Sequence, residues 1–196
     1  MNIKTTNKTK TSIFYNPFKS FNLMKKYTYK NICTLFLLLI LGSVQAQQKN
    51  SDKCRYTKTP QGYLMVLREG DNVLKLLEDL AQEEKIPSAY LTGIGFAQQA
   101  EFGFYDFEKK KFNPKTFYKV EMGSLTGSLA WKEGKPSLHV HGVATDKDFN
   151  AFGGHLLSLT VGTGSMEIYI TLYNEKLERK TEQPLNANVL QLPCIE

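Results

Sequence analysis

His139, His141 and His155 are the whole histidine complement of this 196-residue chain, and all three fall within 17 consecutive positions, in the stretch "LHVHGVATDKDFNAFGGH" (residues 138–155). Side chains on a strand alternate between faces. If "SLHVHGVA" is extended, His139 and His141 therefore project from one face, roughly 6–7 Å apart at Cα, while Val140 points into the core. Gly153 and Gly154 precede the third histidine and permit a tight turn and a close backbone approach, which would bring His155 back over the other two. Three protein nitrogens with an open fourth position form the donor set of catalytic zinc, and imidazole also suits other divalent transition metals. The other reading is a set of hydrogen-bonded strand histidines around a groove without an ion. Asp146 and Asp148, between the histidines, are candidates to orient a ring from behind or to cap the loop.

The signatures of several other chemistries are missing. There is no His-Glu-x-x-His zincin helix, no Gly-x-Ser-x-Gly elbow and no phosphate loop. "TGIG" is too short a glycine pattern to indicate a dinucleotide.

The formal charge of +6 invites a nucleic-acid reading, but its distribution argues against one. Seven of the 25 basic residues and none of the 19 acidic ones lie in residues 1–46, which leaves 18 against 19, a net charge of −1, for residues 47–196. The basic leader reads as an export signal. "MKKYTYK" from Met24 is its positive start, "ICTLFLLLILG" (Ile32–Gly42) is its apolar run, and Val44 and Ala46 are small residues suited to cleavage before Gln47. The apolar run is well short of the ~20 residues that span a bilayer, so no stable membrane span is expected after cleavage. Residues 1–23 are polar and aperiodic and read as upstream sequence translated through, with Met24 as the start. Residues 24–46 are then the signal peptide, 47–60 a flexible lead-in and 61–196 the domain, placed in the periplasm or secreted. Cys54 and Cys194 remain in the mature chain, near its two ends, in a compartment where a bridge between them can persist. Two free thiols are the alternative.

The elements that must position the histidines are of mixed type. "GYLMVLRE" (Gly62–Glu69) reads as a strand. It leads into "GDNVLKLLEDLAQEEKIP", where Asp71 caps a long helix with apolar positions Val73, Leu74, Leu77, Leu80 and Ala81, ended by Ile86-Pro87. Beyond it come short β-type runs, including "SAYLTGIG", "AEFGFYDF", "FYKVEMGSL", "GSLAW", "SLHVHGVA", "LLSLTV" and "MEIYITLY", with a hairpin turn at "WKEGKP" where Gly134 takes a positive φ. The fold class expected is α/β (α+β): one compact domain, a curved mixed sheet of about seven strands and one long helix.

The stretch "HVHGVATDKDFNAFGGHL" resembles the signature of the plants-and-prokaryotes-conserved (PPC) domain family, the domain shared with plant AT-hook nuclear-localised proteins. "LREGDNVLKLLEDLAQEEKIPSAYLTGIG", "AEFGFYDFEKKKF", "EMGSLTGSLAWKEGKPSLHVHG" and "GSMEIYITL" follow in the family's order, so the likeness covers about Tyr63 to Leu185. The resemblance implies a homotrimer whose histidine motif falls on His139, His141 and His155, where some prokaryotic members hold a metal. It places the Gly-Ile-Gly turn at Gly93, Ile94 and Gly95. It also places the first-strand arginine at Arg68, to pair with Glu121 or with a ligand carboxylate. The residues expected around the groove are therefore Arg68, Gly93, Gly95 and Glu121 from the resemblance, with Asp146, Gly153 and Gly154 from the histidine stretch itself. The family's usual Gly-Asn-Ile is here Gly127, Ser128 and Leu129, a departure that puts polar contacts there in question.

Two functions follow. The preferred one is an exported trimeric binding or assembly module, with a three-histidine groove for zinc or another divalent metal and an unnamed small molecule or protein as partner. The alternative is a zinc-dependent hydrolase using the same histidines, with Glu121, Asp146 or Asp148 as base. DNA binding comes with the family's plant members. Here the mature charge is near neutral and no Arg-Gly-Arg arm is present, so little phosphate neutralisation is available.

Overall fold

The structure is a computed structural model that describes residues 54–193. Residues 1–23, residues 24–46 read as a signal peptide, the first half of the lead-in (47–53) and Cys194 lie outside the described residues. The Cys54–Cys194 bridge therefore does too; the Cys54 thiol donates to the Tyr56 carbonyl at 2.8 Å. Among the described residues no helix is long and apolar enough to cross a membrane.

Eight strands and one helix follow in the order β1 (Tyr56–Thr59), β2 (Gly62–Arg68), α1 (Val73–Glu83), β3 (Ser88–Asp106), β4 (Lys111–Lys132), β5 (Lys135–Thr145), β6 (Ala151–Tyr173), β7 (Glu178–Glu182) and β8 (Ala187–Gln191). They form one sheet in the order β1-β2-β6-β3-β4-β7-β8, with β5 paired to both β4 and β6. The pairings β3–β4, β4–β5, β5–β6 and β6–β3 thus close a circuit. That circuit is possible because β3, β4 and β6 are 19 to 23 residues long and bent by register shifts, at Gly93/Gly95, Met122/Ser124 and Ala97/Gln99 among others.

The sheet is more extensive, and the helix shorter, than the periodicity predicts. Runs that read as separate strands fuse: "SAYLTGIG" and "AEFGFYDF" are one strand, β3, and "LLSLTV" and "MEIYITLY" are one strand, β6. The glycines between them are bulged strand positions and make no turn. The added Cβ of an alanine at Gly95 would lie 2.4 Å from the Ser165 carbonyl, and at Gly93 it would lie 2.7 Å from the Glu167 carbonyl, so these positions let β3 approach β6 closely. Strand β1 lies inside the segment read as lead-in. Its sequence, Tyr-Thr-Lys-Thr, has no apolar stripe, and it is held by its ladder to β2 and by Tyr56 and Tyr63, which both donate to Glu84 at 3.0 Å.

α1 is 11 residues long, about three turns, where a long helix was expected. Its cap is Asn72, whose side chain accepts from the Lys75 amide at 3.1 Å. Asp71 does not cap, because its carboxylate is taken by Arg55 at 3.0 Å and by the Arg68 amide at 3.0 Å. The chain leaves the helix before Ile86-Pro87, with Lys85 in the left-handed region at φ 53°. Val73, Leu77, Leu80 and Ala81 are buried against β5 and β6, so α1 covers the core face of the sheet. The expected hairpin at Trp131–Pro136 is present. Glu133 (φ 52°) and Gly134 (φ 78°) both take the positive φ that a tight two-residue turn needs.

Candidate metal centre

β5 shows strict alternation. Val140, Gly142 and Ala144 are buried on the helix side, while His139 and His141 are exposed on the other face. His155 arrives from β6, where it is the direct register partner of His141 and also of Gly103 on β3. The three rings form a nearly equilateral triangle, with centroid separations of 5.2 Å (His139–His141), 5.3 Å (His139–His155) and 5.2 Å (His141–His155). One nitrogen from each lies within 4.8 Å of the other two. The spacing-based grouping of the three histidines is therefore what the structure brings together.

The route differs from the one expected. Gly153 and Gly154 do not make the turn; they are strand residues opposite Val143 and Gly142. A Cβ at Gly153 would lie 2.2 Å from the Gly142 carbonyl, so the glycine lets β5 and β6 close on each other beside the rings. The turn is Asp146–Asn150. The Asp146 carboxylate accepts from the amides of Asp148 (2.9 Å) and Asn150 (3.0 Å) and from the Asn150 side chain (3.1 Å). These bonds lower the Asp146 pKa, that from the Asn150 side chain most. Asp146 adjoins the Thr145↔Ala151 pair, four ladder positions from His141↔His155. That is roughly 13 Å along the strands, so Asp146 organises the hairpin and does not orient a ring.

Other residues expected near the groove lie elsewhere. Arg68 is exposed at the end of β2 opposite Ser165, and Glu121 is exposed on β4 opposite Phe96 and Thr145. The ion pair formed near Arg68 is Arg55–Asp71, not Arg68–Glu121. Gly93 and Gly95 pair with β4 at Leu125 and Met122 and are not among the residues that line the space beside the rings. For Glu121, Gly93 and Gly95 the resemblance gave a place in sequence, while the bends of β3 and β4 decided the place in space.

Phe112 of β4 stacks on His155, with ring centroids 4.6 Å apart and planes 19° apart. Gly103 leaves room for Phe112, since a Cβ there would lie 2.8 Å from its ring. Burial, with His139 and His141 adding to it, pushes the His155 pKa down from its ordinary value to about 4. Burial first, then Arg179 and His141, lower that of His139. Both rings are therefore neutral near pH 7, with a lone pair free to donate to an ion.

A cavity of about 280 Å³ opens beside the triangle. It is bounded by His139, His155, Phe112 and Leu138, and on its far side by the β7–β8 hairpin through Leu185 and Asn188. Tyr105 ties that hairpin down by donating its hydroxyl to the Leu185 carbonyl. Arg179 of β7 also lines the cavity, and the sequence reading passed over it. It is only 5% exposed. Its Nη2 donates to the Ser128 hydroxyl at 2.7 Å, while its Nε has no partner among the described residues. Ser128, where the resemblance leads one to expect asparagine, holds this arginine. A lone arginine in the polar segment "ERKTE" offered no sequence signal, because only the fold carries it 51 residues back to Ser128.

The Plants and Prokaryotes Conserved (PCC) domain matches residues 54–174, well over half of the chain, and the chain belongs to that family. Solved structures agree. A protein from Ralstonia eutropha JMP134, provisionally named as DNA-binding, is 61% identical with a TM-score of 0.69; the match covers 71% of this chain and 96% of that one. A metal-containing protein from Archaeoglobus fulgidus is 29% identical over 71% of this chain and 99% of its own, with a TM-score of 0.62. A plant- and prokaryote-conserved protein from Pyrococcus horikoshii is 26% identical over 73% of this chain and 99% of its own, with a TM-score of 0.63. No curated protein matches.

Proposed function

We propose that this chain is an exported, trimeric binding and assembly module whose His139, His141 and His155 hold one divalent transition metal, with zinc the best fit to three imidazole nitrogens and an open position. The observation that carries the reading is the triangle of rings with ligand nitrogens within 4.8 Å. The metal-containing relative from Archaeoglobus fulgidus supports it. A bound ion would supply Lewis acidity at the mouth of the cavity. The protein supplies the three rings, the Phe112 stack that fixes His155, and apolar walls that limit water.

A hydrolase at the same histidines needs a general base within reach. Among the described residues, no aspartate or glutamate lines the cavity, which favours binding over turnover. DNA binding, carried by the name of the Ralstonia protein, is disfavoured by the net charge of −1 over residues 47–196. Trimer formation is supported by large apolar side chains on the solvent face of β3 and β6. Ile94 is 55% and Phe96 50% exposed, with Tyr90 and Tyr169 beside them, and this is a face that a second copy would cover.

Metal analysis of the purified mature protein tests the centre. The expected result is one zinc per chain, lost in the His139→Ala, His141→Ala double variant; metal-free protein after zinc loading refutes it. Light scattering should give three chain masses, and a single-chain mass removes the trimer. Mass spectrometry of protein recovered from outside the cytoplasm should place the mature amino terminus near Gln47.

A further inference from the structure

We propose that the cavity beside the histidines is a binding site for a small organic carboxylate, held by Arg179 at its charged end and by Phe112, Leu138 and Leu185 along an apolar body. This deepens the groove reading above, and it does not depend on the metal being bound.

The argument starts from an imbalance. A buried charge is costly unless it is paired and hydrogen-bonded. Arg179 is buried, yet its partner is a neutral serine: Nη2 reaches the Ser128 hydroxyl at 2.7 Å and the Ser128 carbonyl at 3.5 Å. Nε reaches nothing, and no salt bridge joins Arg179 to an acid among the described residues. Every lining residue of the cavity is neutral or basic. A buried guanidinium with no acid to pair it, at the wall of a cavity without acids, is a preset receptor for a carboxylate, which would supply the missing counter-charge.

The rest of the lining sets the ligand class. The cavity is about 280 Å³, at the low end for small-molecule sites. Its walls are mainly aromatic and aliphatic, with Ser137, Asn186 and Asn188 as neutral polar groups. An inorganic anion would leave those apolar walls wet, whereas a monocarboxylate with a short apolar body fills both halves. His139 and His155 line the same space, and Ser128, to which Arg179 donates, is the register partner of His139, so the charged end of the ligand lies beside the histidines.

Calorimetric titration with benzoate, benzamide and inorganic phosphate tests this on the intact mature protein. Saturable benzoate binding is expected, about tenfold to a hundredfold tighter than benzamide, as the loss of charge-assisted hydrogen bonds implies, and phosphate should not displace it. The Nε–H resonance of Arg179 should shift on benzoate addition. Arg179→Gln should lose the preference for benzoate while keeping zinc, and His141→Ala, at a ligand position outside the cavity lining, should lose zinc while keeping benzoate; the two readings therefore fail separately. Equal affinity for benzamide, displacement by phosphate, or no heat and no shift in the unaltered protein would each overturn the proposal, whether or not the variants fold.

Discussion

Replacing Gly153 with alanine changes no candidate ligand, yet it should disable the metal centre. The added Cβ would stand 2.2 Å from the Gly142 carbonyl and 3.1 Å from the Val143 Cα. A carbon–oxygen contact normally needs about 3.3 Å, so β5 and β6 must part by about 1 Å, within two residues of the His141↔His155 pair. Overpacking of this kind costs about 1–3 kcal/mol, or a fall in Tm of roughly 4–12 °C for a domain this size. Zinc at a hundredfold excess over its Kd should stabilise the unaltered protein by about 2.7 kcal/mol, and Gly153→Ala should lose most of that increment because His155 moves out of register. Gly123→Ala is the control. Its Cβ would meet only the Val143 carbonyl at 4.0 Å, so it should match the parent within about 1 kcal/mol. Thermal unfolding with and without zinc reads both effects. A Gly153→Ala protein with the parent's Tm and full zinc increment would refute the claim that this close strand approach builds the centre.

Acid should destabilise the metal-free fold through His155. Its folded pKa of about 4 lies below the ordinary value of 6.5, so the unfolded chain binds the proton more tightly. Stability is fully present above about pH 6.5 and falls as pH drops towards 4, and denaturant midpoints across that window should flatten in His155→Gln. Asp146→Ala removes the acceptor for two loop amides and the Asn150 side chain, and should lower the midpoint of urea unfolding; an unchanged midpoint would mean that the hairpin does not depend on it. Leu91→Ala, at a fully buried β3 position in the core cluster, should cost about 2–5 kcal/mol by the same measurement, and a loss below 1 kcal/mol would place Leu91 outside the core.

The sequence by itself determined the local geometry of the centre. A histidine at every second position of a strand puts two rings on one face whatever the strand packs against, and the Val140, Gly142, Ala144 alternation fixed which face that was. It likewise determined the Glu133–Gly134 turn and the buried stripe of α1, since turn chemistry and helical periodicity are properties of neighbouring residues. Only the tertiary structure decided where the strands bend. Bulges at glycine shift the two-residue phase, so β3 and β6 each read as two short strands, and Arg68, Glu121 and Asp146 looked nearer to the rings than they are. Only the fold brought in Arg179, from a polar hairpin with no apolar pattern of its own. Its burial against Ser128 arises between residues 51 apart in sequence, and no local periodicity encodes such a contact.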